Sequence, residues 1–332
     1  MREILRSMEW LRAAAAVAAA VICMQWAASA AIAQNYPAKP LRVIVGFPAG
    51  SGADFIARMV GQRLAGFLGQ QVIVENRTGA AGTIATGVVA SAAPDGYTLL
   101  QVTAAEAAQP ALRAKLPYSL ERDFAPISLE AIGTFVLVVH PSVPARDVRQ
   151  LIALARAQPG KLNYGSSGAG SSPHLAAALL QQMANVKVVE VPYKGATESV
   201  TAAVAGEVDF SFPSITAALP LMESGKVKVL AVTSNKRAAL LPQVPTVSES
   251  GLPGFDRSTW HGLLAPASTP KEIVTTLNAL VVKIVNTQEM RDLFNRQGLE
   301  AQTNTPEQYA TLIKNELAQV TKLIRSTGAK TE

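Results

Sequence analysis

An α/β chain arranged as two lobes around a cleft is the class this sequence predicts, and three observations carry it. Short apolar runs rich in β-branched residues alternate with segments whose apolar residues recur at helical spacing. The alternation breaks twice, near Gly133 and across "ESGLPGFDRSTWHG", Glu249–Gly262. Two of the strand-to-helix turns consist almost wholly of glycine, alanine and serine.

At the start, Arg2, Arg6 and Arg12 surround the approach to an apolar run from Ala13 to Met24. A bilayer span needs ~20 residues, so this run is too short to cross. It ends in an Ala-x-Ala pattern at Ala31 and Ala33, and residues 1–33 read as a secretory signal cut before Gln34. The only cysteine, Cys23, lies inside the apolar run, where Ile22 spoils a lipoprotein box. The processed chain would carry no cysteine, which excludes disulfides, thiol catalysis and cysteine-held metal.

Beyond the signal, "LRVIVGF" (Leu41–Phe47) reads as a buried parallel strand. A turn, "PAGSGAD", leads into a helix on which Ile56, Met59, Val60, Leu64 and Phe67 share a face. "QQVIVENR", "GYTLLQVT" (Gly96–Thr103) and "TFVLVVHP" (Thr134–Pro141) are further strands, and "ARDVRQLIALARAQ" is a helix. "KLNYGSS" is a strand opening into a bare loop; "VKVVEVPY", "EVDFSFP" and "KVKVLAVTS" follow as strands. From Pro270 the tail reads as helical, with Ile273, Leu277, Leu280, Val281 and Ile284 on one face. Mostly parallel sheets are expected. The two breaks read as crossings between lobes, giving 34–133 with 258–332 as one lobe and 134–257 as the other. Such a double crossing makes a hinge, with the ligand site in the cleft.

The 332 residues, 49% hydrophobic, are enough for two cores. The formal charge is +6, and removing 1–33, with three arginines and two glutamates, leaves about +5. No dense Lys/Arg run stands out, which argues against a nucleic-acid partner. His140, His174 and His261 are widely separated and show no metal spacing, so no metal is expected.

The bare loop "GSSGAGSSPH" fails three familiar motifs. Ser171 stands where a P-loop needs lysine. Ala169 stands where a nucleophile elbow centred on Ser167 needs glycine, and Pro173 replaces the third glycine of a dinucleotide fingerprint. What remains is the general device: small residues expose backbone N–H groups at a helix N-terminus, which bind an anion without a formal cation. A tight turn with N-cap serines explains the same residues equally well. "FPAGSGAD" (Phe47–Asp54) repeats the form, with Asp54 read as a helix cap rather than a partner for a ligand amine. Two such loops facing one cleft would suit a carboxylate. No Ser/His/Asp constellation can be assembled; the enzymatic alternative is a serine hydrolase using Ser166 or Ser171.

"YPAKPLRVIVGFPAGSGADFIAR", "VENRTGAAGTIATGVVASAAPDGYTLL", "NYGSSGAGSSPHLAAALL", "VPYKGA", "EVDFSF", "LPQVPTVSESGLPGF" and "WHGLLAPASTP", in this order across Tyr36–Lys330, resemble the Bug family. These are the extracytoplasmic substrate-binding receptors of tripartite tricarboxylate transporters. The resemblance implies a two-lobe periplasmic binding protein type II fold. Its ligand would be a small carboxylic acid: a dicarboxylate, an acidic amino acid or an aromatic acid. The receptor would hand it to the integral membrane permease of the transporter; a monomer without cofactor and without enzymatic activity is expected. A carboxylate sensor for a membrane signalling partner is the other non-enzymatic alternative.

Carried over by position, the resemblance gives Phe47, Ala49, Gly50 and Ser51 as contacts in the first lobe, with Thr103 and Ala104 after the third strand and Thr83 in "GAAGTIA". In the second lobe it gives Ser166, Gly168, Ala169 and Ser171, with Asp209 near the far wall. The first loop departs from the family pattern at Gly46, Ala49 and Ser51, the last adding a hydroxyl. Glu106 is a further departure and reads as a solvated helix residue. Intact-mass measurement of the periplasmic form should find residues 1–33 missing; a retained N-terminus or a lipid on Cys23 would overturn the signal assignment.

Overall fold

The computed structural model describes residues 36–113, 115–193 and 195–327, so the expected signal segment lies outside the described residues. The chain first lays down β1 (Leu41–Val45), α1 (Gly52–Leu68), β2 (Val72–Asn76), α2 (Thr83–Ala90), β3 (Thr98–Thr103), α3 (Ala104–Leu112) and β4 (Phe124–Gly133). It crosses and builds β5 (Val136–Val139), α4 (Val148–Ala157), β6 (Asn163–Ser166), α5 (Ser172–Ala184), β7 (Val189–Pro192), α6 (Ala196–Ala205), β8 (Phe210–Ser211), α7 (Ile215–Glu223) and β9 (Lys228–Val232). It then returns through β10 (Thr259–Pro266), α8 (Lys271–Val285), α9 (Gln288–Arg296), β11 (Leu299–Ala301) and α10 (Pro306–Thr327).

Two sheets result, one per lobe, in the orders β11-β4-β10-β3-β1-β2 and β7-β6-β8-β5-β9. Both are mixed rather than mostly parallel. β1 pairs parallel with β2 and β3, and β6 with β7 and β8. β10, β11, β5 and β9 all enter antiparallel. The reason is the double crossing. The strand that leaves the first sheet, β4, and the strand that re-enters it, β10, lie side by side with Gly133 opposite Thr259. Neighbours that leave and enter at one edge must run in opposite senses.

Each lobe has its own core. In the first, Leu41, Val43, Ile56, Val60, Leu277, Val281 and Phe294 pack between the sheet, α1, α8 and α9. The opposite face of that sheet buries Ile44, Leu100, Val102, Trp260, Leu264, Tyr309 and Ile313. The second lobe is filled by Leu137, Val139, Leu151, Tyr164, Phe210, Phe212 and Phe255. A further apolar cluster joins the lobes: Ala108 and Leu112 of α3 meet Leu175 and Ala178 of α5 and Val320, Leu323 and Ile324 of α10. The last helix therefore straps the two lobes together. An ion pair between Arg257, at the return crossing, and Glu316 of α10 spans 2.7 Å and is largely buried.

A polar defect sits within the first sheet. The register of β4 against β10 shifts between His261 and Gly262, leaving Glu130 as the extra residue of a bulge. Its carboxylate is buried and accepts from Gln101 Nε2 at 2.7 Å, while Oε1 has no partner. A side chain on Gly262 would overlap the Tyr309 hydroxyl, so that glycine makes room for the tyrosine. Burial pushes Glu130 up to about 7, against the pull of the Gln101 hydrogen bond. Unfolded, it ionises near 4.5. Between those values only the folded chain keeps the proton, so stability falls as pH rises from about 4.5 to about 7 and is level above. Glu130→Gln is neutral throughout and should melt several degrees above the parent at pH 8, with the gap closing near pH 4. Melting curves with the same gap at both pH values would show that Glu130 is not held protonated.

Candidate functional site

A cavity of about 440 Å³ opens between the lobes, lined among others by Phe47, Ser51, Gly133, Phe135, Ser214 and His261. Its walls come from the turns that follow the strands. β1 runs into α1, which presents Gly52 and Ala53; β3 runs into α3, which presents Ala105. From the second lobe, α5 presents Ser172, α6 Ala196, and the start of α7 Ser214 and Thr216. Five helix N-termini thus open onto one cavity. Each carries unsatisfied N–H groups and about half a positive charge. No charged side chain lines the cavity among the described residues.

The walls are clamped from behind by carboxyl groups. The Asp54 side chain accepts from Gly50 N–H (2.9 Å), from Arg58 Nε (3.0 Å) and from Asn76 Nδ2 (2.8 Å), while Asn76 also donates to the Phe47 carbonyl (3.0 Å). Burial opposes its ionisation, but these donors hold the Asp54 carboxyl below its ordinary value. Ser51, not Asp54, is the N-cap of α1, accepting from Asp54 N–H at 3.3 Å. Gly50 has φ +82, which a side chain would strain.

At the next wall Thr103 and Glu106 form a capping box on α3: Glu106 Oε2 accepts from Thr103 N–H (3.0 Å) and from its hydroxyl (2.6 Å). The expectation of a solvated Glu106 is therefore corrected. Its carboxyl is fully buried against Gly82, where a side chain would crowd it at 2.7 Å. Burial raises it to about 7 against the Thr103 bonds, so in mildly acidic solution it adds no charge opposing an anion at α3.

The bare loop has a similar clamp. Ser166 is fully buried; its hydroxyl donates to Glu190 Oε1 at 2.5 Å and accepts from Gly168 N–H at 2.9 Å. His174 Nδ1 accepts from Gly170 N–H at 2.9 Å, and burial holds His174 below its ordinary value. Ser171 caps α5, and Gly170 sits so close to Leu112 of α3 that a side chain would overlap it. Ser166 is closed to any substrate, and the His174 nitrogen nearest the loop is already an acceptor. Neither arrangement sets up a serine nucleophile.

Of the residues named from sequence, Phe47, Gly50, Ser51 and Thr103 line the cavity. The Thr103 hydroxyl is engaged by Glu106, so its methyl is what remains for a ligand. Ala49 is exposed beside the cavity and Ala104 points into the core behind it. Thr83 opens α2 and is not among the residues lining the cavity. Gly168, Ala169 and Ser171 border the second-lobe wall, where Ser172 is the residue that faces the cavity. Asp209 lies at the other end of its sheet, accepting from Asn163 N–H at 2.7 Å at the start of β6, whereas the cavity lies at the end of that strand. Unforeseen lining residues include Ser214, Thr216, Thr259, His261 and Gln297–Leu299. Ser214 follows "VDFSFP" as a strand-end cap and was open to the reasoning used for Ser171. Gln297–Leu299 carry no local signal.

Residues 56–329 match the family described as the tripartite tricarboxylate transporter family receptor. The chain belongs to this family. Among the family's named members, BugT of Bordetella pertussis is 34% identical over 300 residues, covering 90% of this chain and 92% of BugT. The structure of R. palustris Rpa4515 with adipate is 32% identical, covers 90% of this chain and all of that one, and superimposes with a TM-score of 0.79. MatC from Rhodopseudomonas palustris with bound malate is also 32% identical, covering 87% of this chain and all of MatC, with a TM-score of 0.74. Receptors of this kind are substrate-binding proteins of the periplasm, and the two-lobe α/β fold described above is theirs.

The Asp54 clamp is open to a direct test by mutation. Asp54→Ala removes the one acceptor shared by Gly50, Arg58 and Asn76 and should cost about 1–3 kcal/mol in urea unfolding. Asp54→Asn keeps an acceptor for Gly50 and should cost less. Equal midpoints for the parent and the alanine variant would show that the clamp is dispensable.

Proposed function

We infer that this protein is a periplasmic solute receptor that holds a small carboxylic acid between its lobes and delivers it to the membrane permease of a tripartite tricarboxylate transporter. The observation that carries this reading is the convergence of five helix N-termini on a cavity whose described lining holds no charged side chain. N–H groups and helix dipoles attract an anion there, while the apolar surfaces of Phe47, Phe135 and Leu299 suit a carbon chain or ring. The adipate of Rpa4515 and the malate of MatC are ligands of this chemistry. The buried Ser166 argues for binding rather than hydrolysis.

The division into lobes 34–133 with 258–332 and 134–257 belongs to this reading, as do export by a cleaved signal and action as a monomer. Within the cavity, Ser51 and the N–H groups of the Gly50–Ala53 turn are the contacts proposed in the first lobe. Ser172, Ser214 and the neighbouring bare loop, Gly168 to Ser171, are those proposed in the second.

Ala105→Asp tests the carboxylate reading directly. An acidic residue in the first turn of a helix favours the helix, so the ligand-free melting temperature should stay within a few degrees. The same charge in the cavity should weaken carboxylate binding by at least about tenfold, the effect of 1.4 kcal/mol of repulsion. Titration calorimetry with succinate, adipate, malate and benzoate decides it. If none of these acids binds the parent protein, the carboxylate reading is wrong.

A further inference from the structure

The cavity contains one side chain that the helix termini do not explain. His261 sits on β10, opposite Thr103 of β3 and Ala131 of β4, at the place where the chain re-enters the first sheet. It lines the cavity yet is only 7% exposed. Its Nδ1 is buried without a hydrogen-bond partner. The other edge of the ring lies between two glycines of the cavity wall. A Cβ on Gly52 would stand 3.8 Å from Cε1 and 3.9 Å from Nε2, and one on Gly133 would stand 3.9 Å from Nε2. Gly52 puts no side chain against that edge, while Gly133 is closed in by Thr259 and Leu299.

Burial holds His261 well down, at about 4, so the ring is neutral at physiological pH and offers one N–H donor and one acceptor. Nδ1 is out of a ligand's reach, so the Nε2 edge is the one that a ligand group in the cavity can meet with a hydrogen bond. The partner it suits is uncharged. A hydroxyl or carbonyl can meet a neutral imidazole at little desolvation cost, whereas a charged group must be dehydrated there with no opposite charge at hand.

An ammonium group is the poorest match to this cavity. The nearby carboxyls stand behind the walls: Asp54 is already held by Gly50, Arg58 and Asn76, and Glu106 by Thr103. The five helix termini add positive potential of their own.

We propose that His261 is the specificity-determining residue of the cleft, reading an uncharged hydroxyl or carbonyl substituent on a carboxylic acid, and that the cleft discriminates against the corresponding amino acids. This rests on the carboxylate reading above and narrows it to hydroxy and oxo acids. The substituent meets the imidazole while the carboxylate sits at the helix N-termini.

Titration calorimetry of the full processed chain tests this with matched probes: succinate, malate and aspartate, and the pair benzoate and 4-hydroxybenzoate. In whichever set binds, the hydroxylated acid should bind about tenfold tighter than its unsubstituted partner, and aspartate at least about tenfold more weakly than malate. His261→Phe keeps a planar ring and should abolish the preference for hydroxyl while leaving the unsubstituted acid within about threefold. His261→Gln retains a donor and an acceptor and should keep part of the preference. Ligand-free melting temperatures report whether each variant folds; should the phenylalanine variant not fold, the glutamine variant and the parent's own selectivity decide.

Equal affinity of the parent for both members of a pair overturns the proposal, as does tight aspartate binding. So does a His261→Phe variant that weakens both members alike, which would place the carboxylate itself on His261. These results leave the carboxylate reading standing. If no acid binds the parent, both readings fall.

Discussion

The meeting of five helix N-termini at one cavity is the constraint on which the rest of this molecule turns. Backbone N–H groups at one helix N-terminus can bind an anion, and several helices that begin at one place strengthen the attraction. In an open α/β sheet helices begin side by side at the carboxyl ends of the strands. One sheet supplies α1 and α3, and the other supplies α5, α6 and α7. Neither lobe has the set by itself. The cavity therefore draws on both sheets, between which the chain crosses after β4 and before β10.

Backbone donors are useful only if they are held still, and the three best-defined walls use the same means. A carboxylate behind the turn accepts hydrogen bonds from it: Asp54 behind Gly50, Glu106 behind Thr103, Glu190 behind Ser166. Asp54 and Glu106 are buried, whereas Glu190 is half-exposed on the edge strand β7. Such clamping explains why so bare a set of residues, glycine, alanine and serine, can form a defined surface. The small residues leave space for a ligand, and the acids that accept from the turns supply the rigidity that small residues lack. Glycine also appears where two elements need close approach, as at Gly170 against Leu112 and at Gly262 beneath Tyr309.

The last helix joins these local devices into one structure. α10 covers one face of the first sheet with Tyr309 and Ile313, then reaches α3 and α5 with Val320, Leu323 and Ile324. Glu316, midway along it, pairs with Arg257 at the return crossing. A helix that touches both lobes and the crossing itself is placed to fix the range over which the lobes can move relative to one another. The pair is largely buried, so its geometry is kept by the packing around it rather than by exposed charge.

The sequence alone determined the α/β class, the bare turns and their N-cap serines, because strand runs, helical periodicity and capping depend on residues close together in the chain. It also carried the family, through motifs spread in order from Tyr36 to Lys330. It did not reveal β4, whose "FAPISLEAIG" is buried without alternation and bent by the Glu130 bulge, nor the antiparallel entry of β10 from a stretch that reads as turns. Only the tertiary structure decided which turn residues face the cleft. It closed Ser166 against Glu190, buried Glu106, set Asp209 at the far end of its sheet, and brought Ser214, His261 and Gln297 to the cavity. The physical reason is that a cap or a turn is a local property. The direction of a side chain relative to another lobe is instead fixed by pairings between residues more than a hundred positions apart, such as Thr103 with His261 and Gly133 with Thr259.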